Sequence, residues 1–118
     1  MSTKTFDVNP VIVGLDSLIE IEFPQDIIDA LDLQSGTLTS DFRERKNQTS
    51  ERFARKTTDD GITWDQNILR VDLTSVETSE ITGEAVFFDF IHELEGKIRK
   101  VPGDWEWPVE RTVTDPNG

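Results

Sequence analysis

The sequence predicts an all-β fold, an antiparallel two-sheet β-sandwich of immunoglobulin-like or jelly-roll-like type, with one short helix near residues 75–82. Three observations point there. Glycines and prolines cut the 118 residues into stretches of strand length, apolar and polar side chains alternate within several of those stretches, and a single segment carries a strong helix-start signal. The chain is long enough for one domain. Its organisation reads as an N-terminal arm (1–10), a single sandwich domain (11–114) and a frayed C-terminus (115–118). A domain of this size buries roughly two-thirds of its unfolded surface, and seven Phe and three Trp supply material for the core.

From Leu18 to Phe23 the pattern puts Ile19, Ile21 and Phe23 on one face and Glu20 and Glu22 on the other, a strand with one wet side that ends at Pro24. Asp26 to Leu33 reads as a single helical turn or an apolar loop. Thr37 to Arg45 alternates again, with Leu38, Ser40 and Phe42 opposed to Thr39, Asp41 and Arg43. A polar turn at 46–50 leads to Glu51–Thr57, where Phe53 is the one large apolar anchor, and the two segments form an edge hairpin. Ile62 to Trp64 makes a short strand, and Leu69, Val71 and Leu73 give the cleanest period of two. Thr74 and Glu77 stand at capping-box spacing and start the short helix. Glu84 to Leu94, apolar on both faces apart from Asp89, reads as a central strand covered twice. Glu95-Gly96 turns the chain into Lys97–Val101, and Trp105, Trp107 and Val109 then share one face of the last strand.

Twenty-four acidic and 12 basic side chains give a formal net charge of −12. That field repels nucleic acid and anionic membrane surfaces, so neither is expected as a partner. No apolar run approaches the roughly 20 residues a membrane-spanning helix needs, which predicts a soluble chain made in the cytoplasm. The charge is unevenly spread: −7 over residues 1–42, +4 over 43–56 and −9 over 57–118. The basic stretch contains Arg43, Arg45, Lys46, Arg52, Arg55 and Lys56. It reads either as a docking surface for an acidic neighbour, another copy of this chain included, or as a solvated edge whose charges block strand addition.

Other chemistry-bearing residues are weaker candidates. His92 is the lone imidazole and has no Ser, Cys or second His at a catalytic or metal-binding spacing. Asp59, Asp60 and Asp65 lack the loop pattern of a calcium site and read as a solvated turn. Asn47 opens a formal glycosylation sequon. Trp105 and Trp107 fit an inward face better than an exposed one. The reading assigns no catalytic, cofactor-binding or metal-ligating residue, and it expects no enzyme.

The order of segments carries a resemblance. Gly14-Leu15-Asp16-Ser17-Leu18 enters an alternating strand, and Asp32-Leu33-Gln34-Ser35-Gly36 opens a second one that holds Phe42-Arg43. Leu69–Leu73 is followed by Ser75-Val76-Glu77-Thr78, then by Ala85–Phe90, and Gly103 to Val109 closes the pattern. Across residues 11–114 this resembles small β-sandwich virion proteins of tailed phages and is similar to the N-terminal domain of phage baseplate upper proteins. The resemblance implies a non-enzymatic structural protein, a tail, baseplate or fibre-attachment component that docks other virion proteins and further copies of itself. It implies a virion location after synthesis in the host cytoplasm. A capsid decoration protein is the alternative within that class. From another class, a carbohydrate-binding module would use Trp64, Trp105 or Trp107 as sugar platforms.

Overall fold

The computed structural model describes residues 10–45 and 51–112. Lys46, the Asn47 sequon, residues 1–9 of the expected arm and the expected frayed end at 115–118 lie outside the described residues. Val11–Ile12 (β1) and Ser17–Glu22 (β2) precede a helix at Gln25–Leu31 (α1). Thr37–Arg43 (β3), Arg52–Thr58 (β4), Gly61–Asp65 (β5) and Ile68–Leu73 (β6) lead to a one-turn helix, Ser75–Thr78 (α2). Ala85–Phe88 (β7), Ile91–Leu94 (β8), Lys97–Lys100 (β9) and Trp105–Glu110 (β10) complete the order.

The fold is β-rich, as predicted, but its strands belong to one hydrogen-bonded sheet in place of two. The path runs β1-β10-β7-β3-β4-β5-β6-β2, with β8 branching from β3 and β9 from β8. The two path ends are consecutive in the chain and adjacent in space, and the Ile12 amide donates to Ser17 Oγ at 3.1 Å. The sheet therefore almost closes into a barrel. Two pairings are parallel, β1 with β10 and β4 with β5. In the second case the chain coils through Asp59 (φ 66°) rather than reversing, so β5 leaves in the direction in which β4 arrived.

Alternation decides most of the core. Ile19, Ile21, Phe23, Leu38, Phe42, Leu69, Val71 and Leu73 are buried on the faces their spacing assigns. Phe88 stands at the centre of an aromatic cluster, with ring centroids 4.7 Å from Phe42, 5.9 Å from Phe90 and 5.8 Å from Trp107. Trp105 extends the cluster to Phe23 at 5.9 Å, and Phe23 meets Trp64 at 5.9 Å. Each such pair adds about 0.5–1.5 kcal/mol beyond its buried area.

Four expectations change. The helix near 75–82 spans only Ser75–Thr78, with the capping box in place: the Glu77 amide donates to Thr74 Oγ1, and the Thr74 amide to Glu77 Oε1. A second helix exists, because Ile27, Ile28 and Leu31 fall on one face of α1 while Asp26 and Asp29 face away; Asp32 ends it in the left-handed conformation. The single central strand over 84–94 is broken at Asp89-Phe90, where buried Ser40 donates its hydroxyl to the Asp89 carbonyl at 2.6 Å. Only one of its faces is fully buried: Val86, Phe88, Phe90 and His92 are buried, whereas Ala85, Phe87 and Asp89 are half-buried and Ile91 is 40% exposed. The β3–β4 hairpin, finally, is not an edge, since β3 also pairs with β7 and β8 and β4 with β5; Phe53 packs half-buried against the core as its anchor, beside the buried Ala54 and Lys56.

Candidate functional site

The basic segment read from the sequence does come together in space, though not as a uniform positive face. On β3, Asp41 and Arg43 share the outward side, as alternation requires. On β4, a regular strand would put Arg52 and Arg55 on opposite faces, since they are three residues apart. A bulge removes that conflict: Phe42 pairs with Ala54 but Arg43 pairs with Arg52, which leaves Phe53 as the extra residue. Both arginines thus emerge beside Asp41.

Three guanidinium groups converge on that carboxylate. Arg55 binds it in bidentate fashion, Nε to Oδ1 at 2.6 Å and Nη2 to Oδ2 at 2.9 Å. Arg43 Nη2 donates to Oδ2 at 3.2 Å. Arg52 reaches Oδ2 only at 3.7 Å, beyond hydrogen-bond length, with 47% of its side chain exposed. The hydrogen bond from Arg55, aided by the charges of Arg55, Arg52 and Arg43, outweighs desolvation and holds Asp41 below the usual carboxylate range. The same bond raises Arg55. Asp41 therefore stays anionic and fixes the fork of Arg55, while Arg52 remains loosely held and presented to solvent. Chemically, the arrangement suits recognition of a further carboxylate or another anion by preorganised guanidinium groups.

The remaining members of the segment divide. Lys56 is buried, 8% exposed, and its Nζ lies 2.7 Å from Glu77 Oε1. It ties β4 to α2 and is no part of an outward surface. Burial alone would raise Glu77, but hydrogen bonds from Lys56 and from the Thr74 amide, with the Lys56 charge, bring it below its ordinary value. Arg45 is exposed at the rim of a shallow cleft lined by Glu44, Glu51, Thr82 and Gly83. Glu44 closes that cleft by accepting the Thr82 amide at 2.8 Å and the Gly83 amide.

The other candidates occupy separate places. His92 is buried, and its Nε2 lies 2.6 Å from the Ser35 carbonyl, so that nitrogen carries the proton and donates. Asp59, Asp60 and Asp65 are exposed. Among the described residues no three His, Cys, Asp or Glu side chains are grouped to hold a metal ion. Trp107 is buried, and Trp64 and Trp105 pack half-buried against the core, so none stands out as a flat platform. No helix of the described residues is long and apolar enough to cross a membrane.

Sequence reasoning missed two organising residues. Alternation puts Asp41 on the correct side of its strand but does not mark it as the hub of three arginines; its D-x-R spacing opposite Arg55 is the available signal. The sequence marks Glu77 only as a capping residue, and nothing local pairs it with a lysine 21 positions earlier. Comparison of the chain with protein-family models, curated proteins and solved structures gave no match.

Proposed function

We propose that the chain is a non-enzymatic docking protein of a tailed-phage virion, a multi-copy component of the tail, baseplate or fibre attachment. The observation that carries the docking part is the Arg43–Arg52–Arg55 cluster around Asp41, held on two paired strands of a nearly closed sheet in a chain of net charge −12. A preorganised basic patch on an acidic body favours one contact geometry with an acidic neighbour and disfavours others. The curled sheet serves as the stiff carrier, the part that two stacked sheets would play in a sandwich. The virion setting rests on the order of segments described above. Copy number separates a tail component from a capsid decoration protein.

The test is mass spectrometry of purified particles from the phage encoding the chain, with cross-links mapped before and after the double change Arg52→Glu and Arg55→Glu. Expected are cross-links from the β3–β4 face to an acidic surface, at about a dozen copies or fewer for a tail site, and their loss in the variant. Absence of the chain from particles, or cross-links unchanged by charge reversal, overturns the proposal.

A further inference from the structure

A second surface, remote in character from the arginine cluster, is built for a different kind of contact. Among the described residues β9 pairs only with β8, and all four of its residues are exposed. The register of the β8–β9 hairpin fixes which backbone groups face outward. Val101 donates its amide to the Phe90 carbonyl at 2.9 Å, so 90 and 101 form a hydrogen-bonded pair. Alternation makes His92–Arg99 and Leu94–Lys97 the next such pairs. Ile98 and Lys100 consequently turn their N–H and C=O groups away from β8, toward an edge that no described strand covers.

The side chains along this edge are patterned. Ile98 is 68% exposed, stands directly opposite the exposed Glu93, and shares that face with Ile91, 40% exposed, and with the stem of Lys100. Lys97 and Arg99 stand on the other face and make no ion pair among the described residues, whereas Lys100 is held by Asp104 at 3.1 Å and by the Gly103 carbonyl at 3.0 Å. A second copy of β9 does not fit. Antiparallel pairing through the outward groups sets Ile98 opposite Ile98 or Lys100, and Arg99 then faces Lys97 or another Arg99. Like charges directly opposed destabilise a strand pair.

We infer that the free edge of β9 takes an extended acidic segment of a partner protein by strand addition. The segment alternates acidic residues, which meet Lys97 and Arg99, with apolar residues, which cover Ile98 and the stem of Lys100. Backbone hydrogen bonds to Ile98 and Lys100 supply the register, and the two cations select the sequence. The same cations that keep the edge from pairing with its own kind thereby make it selective for acidic strands.

The test uses the full chain and two blocked peptides, one alternating Glu with Val over seven residues and one with Lys in place of Glu, read by backbone amide NMR. The Glu peptide is expected to shift the Ile98 and Lys100 amides and to slow their hydrogen exchange; the Lys peptide is not. Ile98→Pro removes an outward donor without removing a β8–β9 ladder bond or any charge, and is expected to abolish binding. Lys97→Glu with Arg99→Glu, at exposed sites, is expected to weaken the Glu peptide by about tenfold and to admit the Lys peptide. Equal binding of both peptides, binding unaffected by Ile98→Pro in a chain that retains its circular dichroism, or shifts confined to the β3–β4 arginines overturns the inference. So does a dimer that Ile98→Pro dissociates. These outcomes leave the arginine-cluster reading untouched, since that face is tested by other substitutions.

Discussion

The ion pair between Lys56 and Glu77 gives the sharpest test of the physical reasoning. Three donors converge on Glu77 Oε1: Lys56 Nζ at 2.7 Å, the Thr74 amide at 2.9 Å and Thr74 Oγ1 at 3.1 Å. Glu77→Gln keeps an oxygen for all three and removes only the charge. Losing one member of a buried pair costs about 3–5 kcal/mol. The Glu77 side chain retains 23% of its exposure, so water screens the orphaned ammonium in part, and about 2 kcal/mol is the expected loss. With a urea slope of about 1–3 kcal/mol per molar, the midpoint falls by about 1 M with the slope unchanged. Lys56→Met takes away the cation instead. Glu77 then keeps its capping contacts and its access to water, and the cost is below about 1 kcal/mol. The pH dependence follows from the lowered Glu77. A carboxylate depressed in the folded state stabilises fully above its unfolded value, 4.5, and loses that contribution as pH falls through the folded value. Wild type and Glu77→Gln should therefore converge in acid. A Glu77→Gln protein as stable as wild type at neutral pH, or less stable by a constant amount down to acid, refutes the argument; so does Lys56→Met proving the more damaging change.

Three further expectations join this one. Gly36 has φ +76°, and a Cβ there would collide with the Glu93 carbonyl, whereas Gly96, at φ +78°, has open space around it. Gly36→Ala should cost about 3 kcal/mol and Gly96→Ala only about 1, from backbone strain alone; chemical denaturation of both variants checks the ratio. Ser40→Ala leaves the Asp89 carbonyl without its 2.6 Å donor at the β7–β8 break and should cost about 1–2 kcal/mol, read in the same experiment. The double change Arg52→Glu and Arg55→Glu takes away the bidentate partner of Asp41 and sets like charges beside it, so it should cost about 1 kcal/mol, read in the same experiment, while abolishing the cross-links of the β3–β4 face.

Where one face of a strand is buried along its whole length, the sequence was sufficient. Ile19-x-Ile21-x-Phe23 and Leu69-x-Val71-x-Leu73 bury the residues their period assigns, because a one-residue slip would carry every apolar side chain into water. The Thr74–Glu77 box was equally legible, since its donors and acceptors lie within one turn. Strand order was not. Nothing within β7 or β8 indicates that β3 pairs with both of them, or that a serine on β3 takes over where the ladder lapses at Asp89. Closure of the sheet was hidden for the same reason: it depends on which edges meet, and the short β1 gives little pattern to read.

The arginine cluster joins these two cases. Its composition was plain in the segment 43–56, yet its geometry depends on the bulge at Phe53, a feature with no local signature. Counted with a strict period of two, Lys56, Ala54 and Arg52 fall on one face and Arg55 and Phe53 on the other. The interior cannot accept Arg52 beside Phe42, because an unpaired guanidinium buried against aromatic rings costs several kcal/mol. One unpaired residue in the ladder is the cheaper solution, and Phe53 is the residue best able to occupy it, since its ring stays in contact with Phe42 at 6.3 Å. The bulge thus follows from the core and not from the surface. Its consequence at the surface is that two arginines three residues apart reach the same carboxylate, so the feature most suited to docking is set by the packing beneath it.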